Sequence, residues 1–133
     1  MFEDAEVISR YTRADALADG SLVDVTQTAK EAGFLFPVAV TQATWLDCVA
    51  WGATEKANKP QALQDEAGRL WDVVYMAFLA ARSNREASRL EFSVYRVPTD
   101  GRGLKARPVS LVLHIGPGDS GEPVITIMQP LES

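Results

Sequence analysis

The stretch DEAGRLWDVVYMAFLAARSN, residues 65–84, decides the fold because no other part of the chain shows helical periodicity over so many residues. Its apolar residues recur at spacings of three and four and stack on one face: Ala67, Leu70, Trp71, Val74, Ala77, Phe78 and Ala81. The opposite pole begins with Asp65, Arg69 and Asp72, which predict a solvated, ion-paired surface rather than a metal site. Further along, Met76 and Leu79 occupy the same pole. We therefore expect this helix to need apolar cover on two sides.

The residues after this helix alternate apolar and polar side chains, as half-buried β-strands do. The strand candidates are residues 90–95, 109–115 and 124–128, joined by turns at residues 99–103 and 116–121. Asp119 and Glu122 would repel phosphate from the second turn, which is therefore interpreted as a hairpin turn and not as an anion-binding loop. The pattern predicts an antiparallel meander with one buried face.

Shorter elements are predicted before residue 41. Extended segments are expected at residues 6–11, 22–25 and 34–40. Two small helices are expected between them, one starting after Thr12 and ending at Gly20, the other starting near Thr26 and closed by Gly33. Pro37 lacks a backbone N–H, which favours an edge strand or a loop for the segment that contains it.

A second main helix is predicted from the N-cap residue Thr41 to about Ala53, with Cys48 and Trp51 away from its most apolar face. Residues 54–64 are polar and are predicted to form a loop. The whole chain, residues 1–133, is expected to form one α+β domain. Its two main helices pack on one face of a C-terminal three-stranded antiparallel meander, which N-terminal strands can extend.

Composition excludes several classes of protein. The chain has 133 residues, a formal net charge of −5, one cysteine and one histidine. A lone cysteine forms no disulfide within the chain, and one Cys with one His cannot supply a structural zinc site. The acidic balance disfavours direct binding of nucleic acid, and no stretch has the length of a membrane span. Together with an acidic N-terminus, these features predict a cytoplasmic protein with no metal and no cofactor.

His114 is the weak candidate for catalysis, because imidazole is the side chain best suited to acid–base chemistry near neutral pH. One allowed register of the first hairpin sets Glu91 opposite His114, with Ser93 and Ser110 on the same face. No Gly-x-Ser-x-Gly motif supports a nucleophilic serine. An enzyme or a nucleotide-binding domain that uses this face is thus the alternative to a binding protein.

Two groups of residues are candidates for partner binding. Trp51, Met76 and Leu79 either pack inside the protein or form an apolar patch that anchors a partner or a second copy of the chain. Arg96, Arg102, Lys105 and Arg107 concentrate positive charge at the tip of the first hairpin, which could meet a phosphate backbone or an acidic protein surface. The last three are the candidate steering charges. Cys48 is predicted to be a small buried hydrophobe and not a nucleophile.

Four segments resemble a domain-of-unknown-function family of short bacterial proteins often carried on plasmids, integrative elements and phages. They are EVISRYTRA at residues 6–14, residues 33–45, QDEAGRLWD at residues 64–72, and GPGDSGEPVITIM at residues 116–128. The resemblance implies no catalytic residue and no cofactor. It implies a mobile-element accessory protein, non-enzymatic, that binds and inhibits a host defence or nucleic-acid-processing complex, as anti-CRISPR and anti-restriction proteins do. A homodimeric interaction protein is a further alternative.

Overall fold

A five-stranded mixed sheet lies at the centre of the computed structural model, which describes residues 10–132. The strands are β1 (Leu22–Asp24), β2 (Val38–Thr41), β3 (Arg89–Arg96), β4 (Arg107–Pro117) and β5 (Pro123–Met128). Their order is β1-β2-β5-β4-β3, in which β2 and β5 are parallel and the other neighbours are antiparallel. The predicted meander is thus confirmed, and two N-terminal strands extend it. Most of the strand predicted at residues 6–11 lies outside the described residues.

The helices are α1 (Arg13–Asp19), α2 (Thr26–Ala32), α3 (Gln42–Thr44), α4 (Ala53–Asn58) and α5 (Glu66–Ser83). A π-helical turn, Trp45–Val49, continues α3, and a 3₁₀ turn, Pro60–Ala62, follows α4. The side chains of Thr12, Thr41 and Asp65 each accept a backbone N–H at the start of α1, α3 and α5, as their residue types predict. None of the helices in the described range has the length and apolarity needed to cross a bilayer.

One face of the sheet and α5 enclose the core. The sheet contributes Val38, Val40, Phe92, Val94, Leu111, Leu113, Ile125 and Ile127. Against them α5 packs Val73, Val74 and Ala77, and α2 covers the same side with Ala29 and Ala32. The α+β prediction is confirmed. The helix is rotated from the predicted orientation, however, so that Arg69 is buried and Trp71 is exposed.

Helix α1 is held against β5 and the β4–β5 turn by four hydrogen bonds. Arg13 donates from Nη1 to Thr126 Oγ1 at 2.7 Å and from Nη2 to the Ile125 carbonyl at 2.8 Å. Asp119 accepts the backbone N–H groups of Arg13 and Ala14 at 2.8 and 3.0 Å. Asp119 lies in the β4–β5 turn, which is a hairpin turn as predicted. Its carboxylate satisfies amides that the start of a helix leaves without partners.

Three predictions for the N-terminal half differ from the structure. Residues 34–37 are a loop, which was one of the two alternatives predicted from Pro37, but the strand that follows, β2, lies between β1 and β5 and not at an edge. Pro37 precedes the strand, where no N–H is needed, and its carbonyl accepts the Ile125 N–H at 2.9 Å. Residues 54–64 are not all loop, because α4 occupies Ala53–Asn58. The helix predicted from Thr41 to Ala53 ends instead with the π-helical turn at Val49.

Candidate functional site

Trp51, the first predicted anchor, lies inside the protein. Its side chain is only 4% exposed, and the Arg69 guanidinium carbon lies 4.8 Å from the centre of its ring. Together with Lys59 and Leu63, among others, it lines a cleft of about 190 Å³. The interpretation of Trp51 as an exposed anchor is therefore wrong. The π-helical turn ends two residues earlier, at Val49, and the Arg69 side chain of α5 lies over the indole ring.

Arg69 is the residue that holds this region together, and the sequence placed it on the solvated surface. It is 3% exposed, and burial lowers the pKa of its guanidinium. Nε donates to the Val49 carbonyl at 3.1 Å and Nη1 to the Val97 carbonyl at 2.9 Å. Nη1 also reaches Gln64 Oε1 at 3.0 Å, and Nη2 reaches the Asp47 carbonyl at 3.3 Å. The predicted ion-paired face with Asp65 and Asp72 is therefore wrong, because these contacts draw the guanidinium inward.

Three large side chains on α5 face solvent instead. Trp71, Tyr75 and Met76 are each between 37% and 41% exposed, and we call them the α5 ridge. The Trp71 and Tyr75 rings stack with centroids 5.6 Å apart and planes 15° apart. Met76 belongs to the predicted anchor set, whereas Leu79, one turn further on, is half-buried. The prediction missed Trp71 because it assigned that residue to the buried face.

The loop between β3 and β4 is held from beneath by Lys59. This side chain is buried, and its Nζ donates to the carbonyls of Pro98, Asp100 and Gly103 at 2.6, 2.8 and 2.7 Å. Three carbonyls match the three donors of an ammonium group. Lys59 therefore fixes the path of the loop between β3 and β4, although the sequence predicted only that it lies in a polar loop of its own.

The charged residues of that loop point outward. Arg102, Lys105 and Arg107 are all exposed, as steering charges must be. Arg96 differs from them, because its guanidinium pairs with the Asp47 carboxylate at 3.1 Å. We call the segment from Arg102 to Arg107, the first residue of β4, the basic loop. Its three predicted cations, Arg102, Lys105 and Arg107, are thus exposed within one short stretch of the chain.

The predicted catalytic grouping lies on an exposed strand surface. His114 is paired with Arg89 and not with Glu91, so the register assumed for the two candidates is wrong. Ser93 and Ser110 are paired, and all five side chains belong to exposed residues of β3 and β4. In the part of the chain that the structure describes, none of these five lines the cleft beside Trp51 or the cavity at the C-terminal end of α5. Within residues 10–132, no group of His, Cys, Asp or Glu is arranged to hold a metal ion.

Cys48 is buried in the core, as predicted for a small hydrophobe. Desolvation, and then the negative charge of Asp47, raise the pKa of its thiol to about 12. A thiol in this state is a poor nucleophile because its thiolate is scarce near neutral pH.

A cavity of about 440 Å³ opens beside the C-terminal end of α5, where the sequence predicted nothing. Its walls come from four parts of the chain: the segment after α2, the segment from the end of α5 into β3, strand β4 and strand β5. They include Phe34, Phe78, Leu90, Ile115 and Ile125. Arg82 and Arg85 also line it. No local pattern could have revealed this cavity, because its walls come from four separate parts of the chain.

Comparison with known proteins gives one match. The model of DUF6573, described as a family of unknown function, matches residues 1–133. No curated protein and no solved structure matches the chain. The function must therefore be argued from the surfaces of the molecule.

Proposed function

The chain belongs to DUF6573, a family of unknown function, and from its surfaces we propose that it is a non-enzymatic binding protein. We further propose the setting that its sequence resemblance implies, an accessory protein of a plasmid, integrative element or phage. In that setting it binds and inhibits a host defence or nucleic-acid-processing complex. The observation that supports binding most directly is the α5 ridge.

The ridge has the composition and the rigidity of a binding surface. Aromatic and methionine side chains are enriched at protein interfaces, and aromatic residues dominate the energetically important positions. Trp71 and Tyr75 already hold each other by stacking, so a partner that contacts them loses little side-chain entropy on binding. The ridge rests on a helix that Val73, Val74 and Ala77 fix to the core.

The basic loop adds a preference for an acidic partner. The segment that leads into it begins where β3 ends, and the Val97 carbonyl at that point accepts a hydrogen bond from Arg69 of α5. The loop and the first half of the ridge-bearing helix are therefore at the same end of the molecule. Exposed cations beside an apolar surface steer an acidic protein surface toward it and raise the association rate. A net charge of −5 argues against the nucleic acid itself as the main contact.

The polar sheet face gives less support to the enzymatic alternative. His114, Glu91 and Ser93 are exposed on neighbouring strands and line neither cavity, whereas active sites are usually concave. The homodimer alternative uses the same ridge, since a two-fold axis through it would bury the apolar side chains of both copies. The experiment that follows distinguishes a host partner on the ridge from a second copy of the chain.

The test is a pull-down of the tagged full chain from its bacterial host, with mass spectrometry of the bound proteins and size-exclusion light scattering of the protein alone. We expect a stoichiometric defence or nucleic-acid-processing complex. The double variant Trp71→Ala with Tyr75→Ala should lose at least about tenfold in affinity for it, as truncated interface anchors do. Tyr95→Ala is the matched control, because Tyr95 is an exposed aromatic residue on the sheet, outside the ridge.

Three results would contradict the proposal. The ridge variant and the Tyr95→Ala control would bind the recovered complex equally well if the ridge is not the interface. A stable dimer that the ridge variant converts to a monomer would assign the ridge to a second copy of the chain. Turnover of a metabolite that is lost on His114→Ala would favour the enzymatic alternative.

A further inference from the structure

The cavity beside the end of α5 combines apolar walls with two cations. Phe34 and Phe78 form one wall, with their rings edge to face and their centroids 5.5 Å apart, and Leu90, Ile115 and Ile125 supply apolar surface from the sheet. We propose that this cavity binds an amphipathic carboxylate, with an alkyl chain among the apolar side chains and the carboxylate on Arg82 and Arg85. This inference is independent of the proposed function.

The size of the cavity suits a medium alkyl chain. Its volume of about 440 Å³ lies within the range of small-molecule sites, roughly 300–1,000 Å³. A group of the size of water takes up about 30 Å³, so the space accommodates roughly 15 non-hydrogen atoms. Decanoate, with roughly twelve, fits with room for imperfect packing. An inorganic anion would leave the apolar walls uncovered and gain nothing from them.

The wall formed by Phe78 depends on a glycine. Gly33 has a φ of +124°, and a Cβ at this position would lie 2.7 Å from the Phe78 ring. Only glycine therefore lets the turn after α2 approach the ring so closely. The residues that follow, Phe34 and Leu35, then reach the cavity from this turn. Leu35 is 90% exposed, and a ligand seated in the cavity would cover part of this apolar side chain.

The two arginines are not consumed by contacts at the end of the helix. Near the end of α5, Asn84 Nδ2 donates to the Ala80 carbonyl and Ser83 Oγ to the Leu79 carbonyl, both at 3.1 Å. Within residues 10–132, neither Arg82 nor Arg85 forms an ion pair or a side-chain hydrogen bond. None of the residues that line the cavity is acidic. A carboxylate is the group that guanidinium binds best, often through two parallel hydrogen bonds.

The test is isothermal titration calorimetry of decanoate into the full chain, with chemical shift mapping of the binding site. We expect saturable one-to-one binding, with shifts at Phe34, Phe78 and Ala87. Shortening the chain toward hexanoate should weaken binding about fourfold for each methylene removed. Nonyltrimethylammonium, with the same nine-carbon alkyl chain and the opposite charge, should bind at least about tenfold more weakly.

Matched variants test where the carboxylate and the alkyl chain of decanoate bind. Arg82→Gln with Arg85→Gln should weaken decanoate binding at least about tenfold, whereas Arg102→Gln with Lys105→Gln, the same charge change in the basic loop, should not. Filling the cavity with Ala87→Leu should abolish binding, and Ala67→Leu on the exposed surface of α5 should leave it unchanged. Thermal unfolding of each variant verifies that it is folded.

The proposal is overturned if decanoate shows no saturable binding at millimolar concentration. It is also overturned if the alkylammonium binds as tightly as the carboxylate, or if the two arginine pairs behave alike. None of these measurements depends on the ridge or on a host partner, so they leave the proposed function untouched.

Discussion

Replacement of Arg69 by methionine gives the sharpest test of how this fold is held together. Methionine keeps much of the length and apolar volume of arginine, so it can still pack against Trp51 while it removes every hydrogen-bond donor. Two of the four bonds from Arg69 are fully buried, those to the carbonyls of Val49 and Val97. The bonds to Gln64 and Asp47 are only partly buried.

The expected loss follows from these contacts. A buried carbonyl left without a partner costs about 1–3 kcal/mol, which gives about 4 kcal/mol for Val49 and Val97 together. Water can replace the two partly buried bonds, so they add little. Removing the charge returns part of its desolvation cost. We therefore expect Arg69→Met to lower the free energy of unfolding by about 3 kcal/mol, a large share of the 5–15 kcal/mol typical of a domain.

The assay is urea denaturation followed by circular dichroism and tryptophan fluorescence. Arg85→Met is the matched control, because Arg85 is exposed and should change the free energy of unfolding by no more than about 0.5 kcal/mol. Arg69→Lys should also lose about 2 kcal/mol, since one ammonium group cannot reproduce the planar fork that reaches both carbonyls. A loss of less than about 1 kcal/mol for Arg69→Met would refute the reasoning, because leaving even one buried carbonyl without a partner should cost at least that much.

Three further predictions concern single groups. Lys59→Met should accelerate amide hydrogen exchange in the basic loop by about tenfold or more, because three carbonyls lose their donor, whereas exposed Lys56→Met should not. Cys48 should resist an aromatic disulfide reagent in native buffer near pH 8 and react fully in urea; rapid native labelling would contradict its burial and its pKa of about 12. Backbone amides of α1 hold the pKa of Asp119 below its usual range, so its stabilising effect is present above about pH 4 and is lost as pH falls through the lower folded value. Asp119→Asn should flatten the acid side of a stability–pH curve, and an unchanged slope would show that the contact contributes nothing.

The elements whose signals are local were predictable. The helix predicted from Asp65 to Asn84 is observed at Glu66–Ser83, because its cap and its periodicity lie within the segment itself. The strand predicted at residues 90–95 is observed at Arg89–Arg96 for the same reason. A local signal was also available for α4, in which Glu55 accepts the Gly52 N–H at 2.6 Å. This contact resembles half of a capping box, and the polar composition of the segment concealed it.

Features that depend on distant partners were not predictable. Pro37 argued against an interior strand, but β2 obtains its place from β5, near the other end of the chain. The charged residues near Arg69 in the sequence led to the prediction that Arg69 faces solvent. Its side chain turns inward instead because it donates to the carbonyls of Val49 and Val97, which lie in two other segments of the chain. The rotation of α5 that buries Arg69 also exposes Trp71. Because the sequence analysis placed Arg69 on the solvent side, it placed Trp71 in the core and did not predict the ridge.

Two buried cations hold the segment that leads from β3 into the basic loop, and one of them, Arg69, belongs to the helix that carries the ridge. Arg69 donates to the Val97 carbonyl and Lys59 to the Pro98 carbonyl, so consecutive residues leaving β3 are held by side chains from different segments. The acceptors of these two cations are backbone carbonyls and one side-chain amide. Because none of these acceptors is a carboxylate, protonation of acidic groups does not remove them.

Acid should therefore act first at the opposite end of β4, where the carboxylate of Asp119 holds α1. At the end that carries the basic loop, the Arg96–Asp47 pair is partly exposed and so contributes at most about 1 kcal/mol. The Asp65 carboxylate there accepts the Gly68 N–H at 2.6 Å, but the rest of α5 is held by the core. As the pH falls, the amide signals of α1 should lose exchange protection before those of α5 and the loop. If the amides of α5 and the loop lost exchange protection before those of α1, the contacts of Arg69 and Lys59 with backbone carbonyls would not be the interactions that order the proposed binding surface.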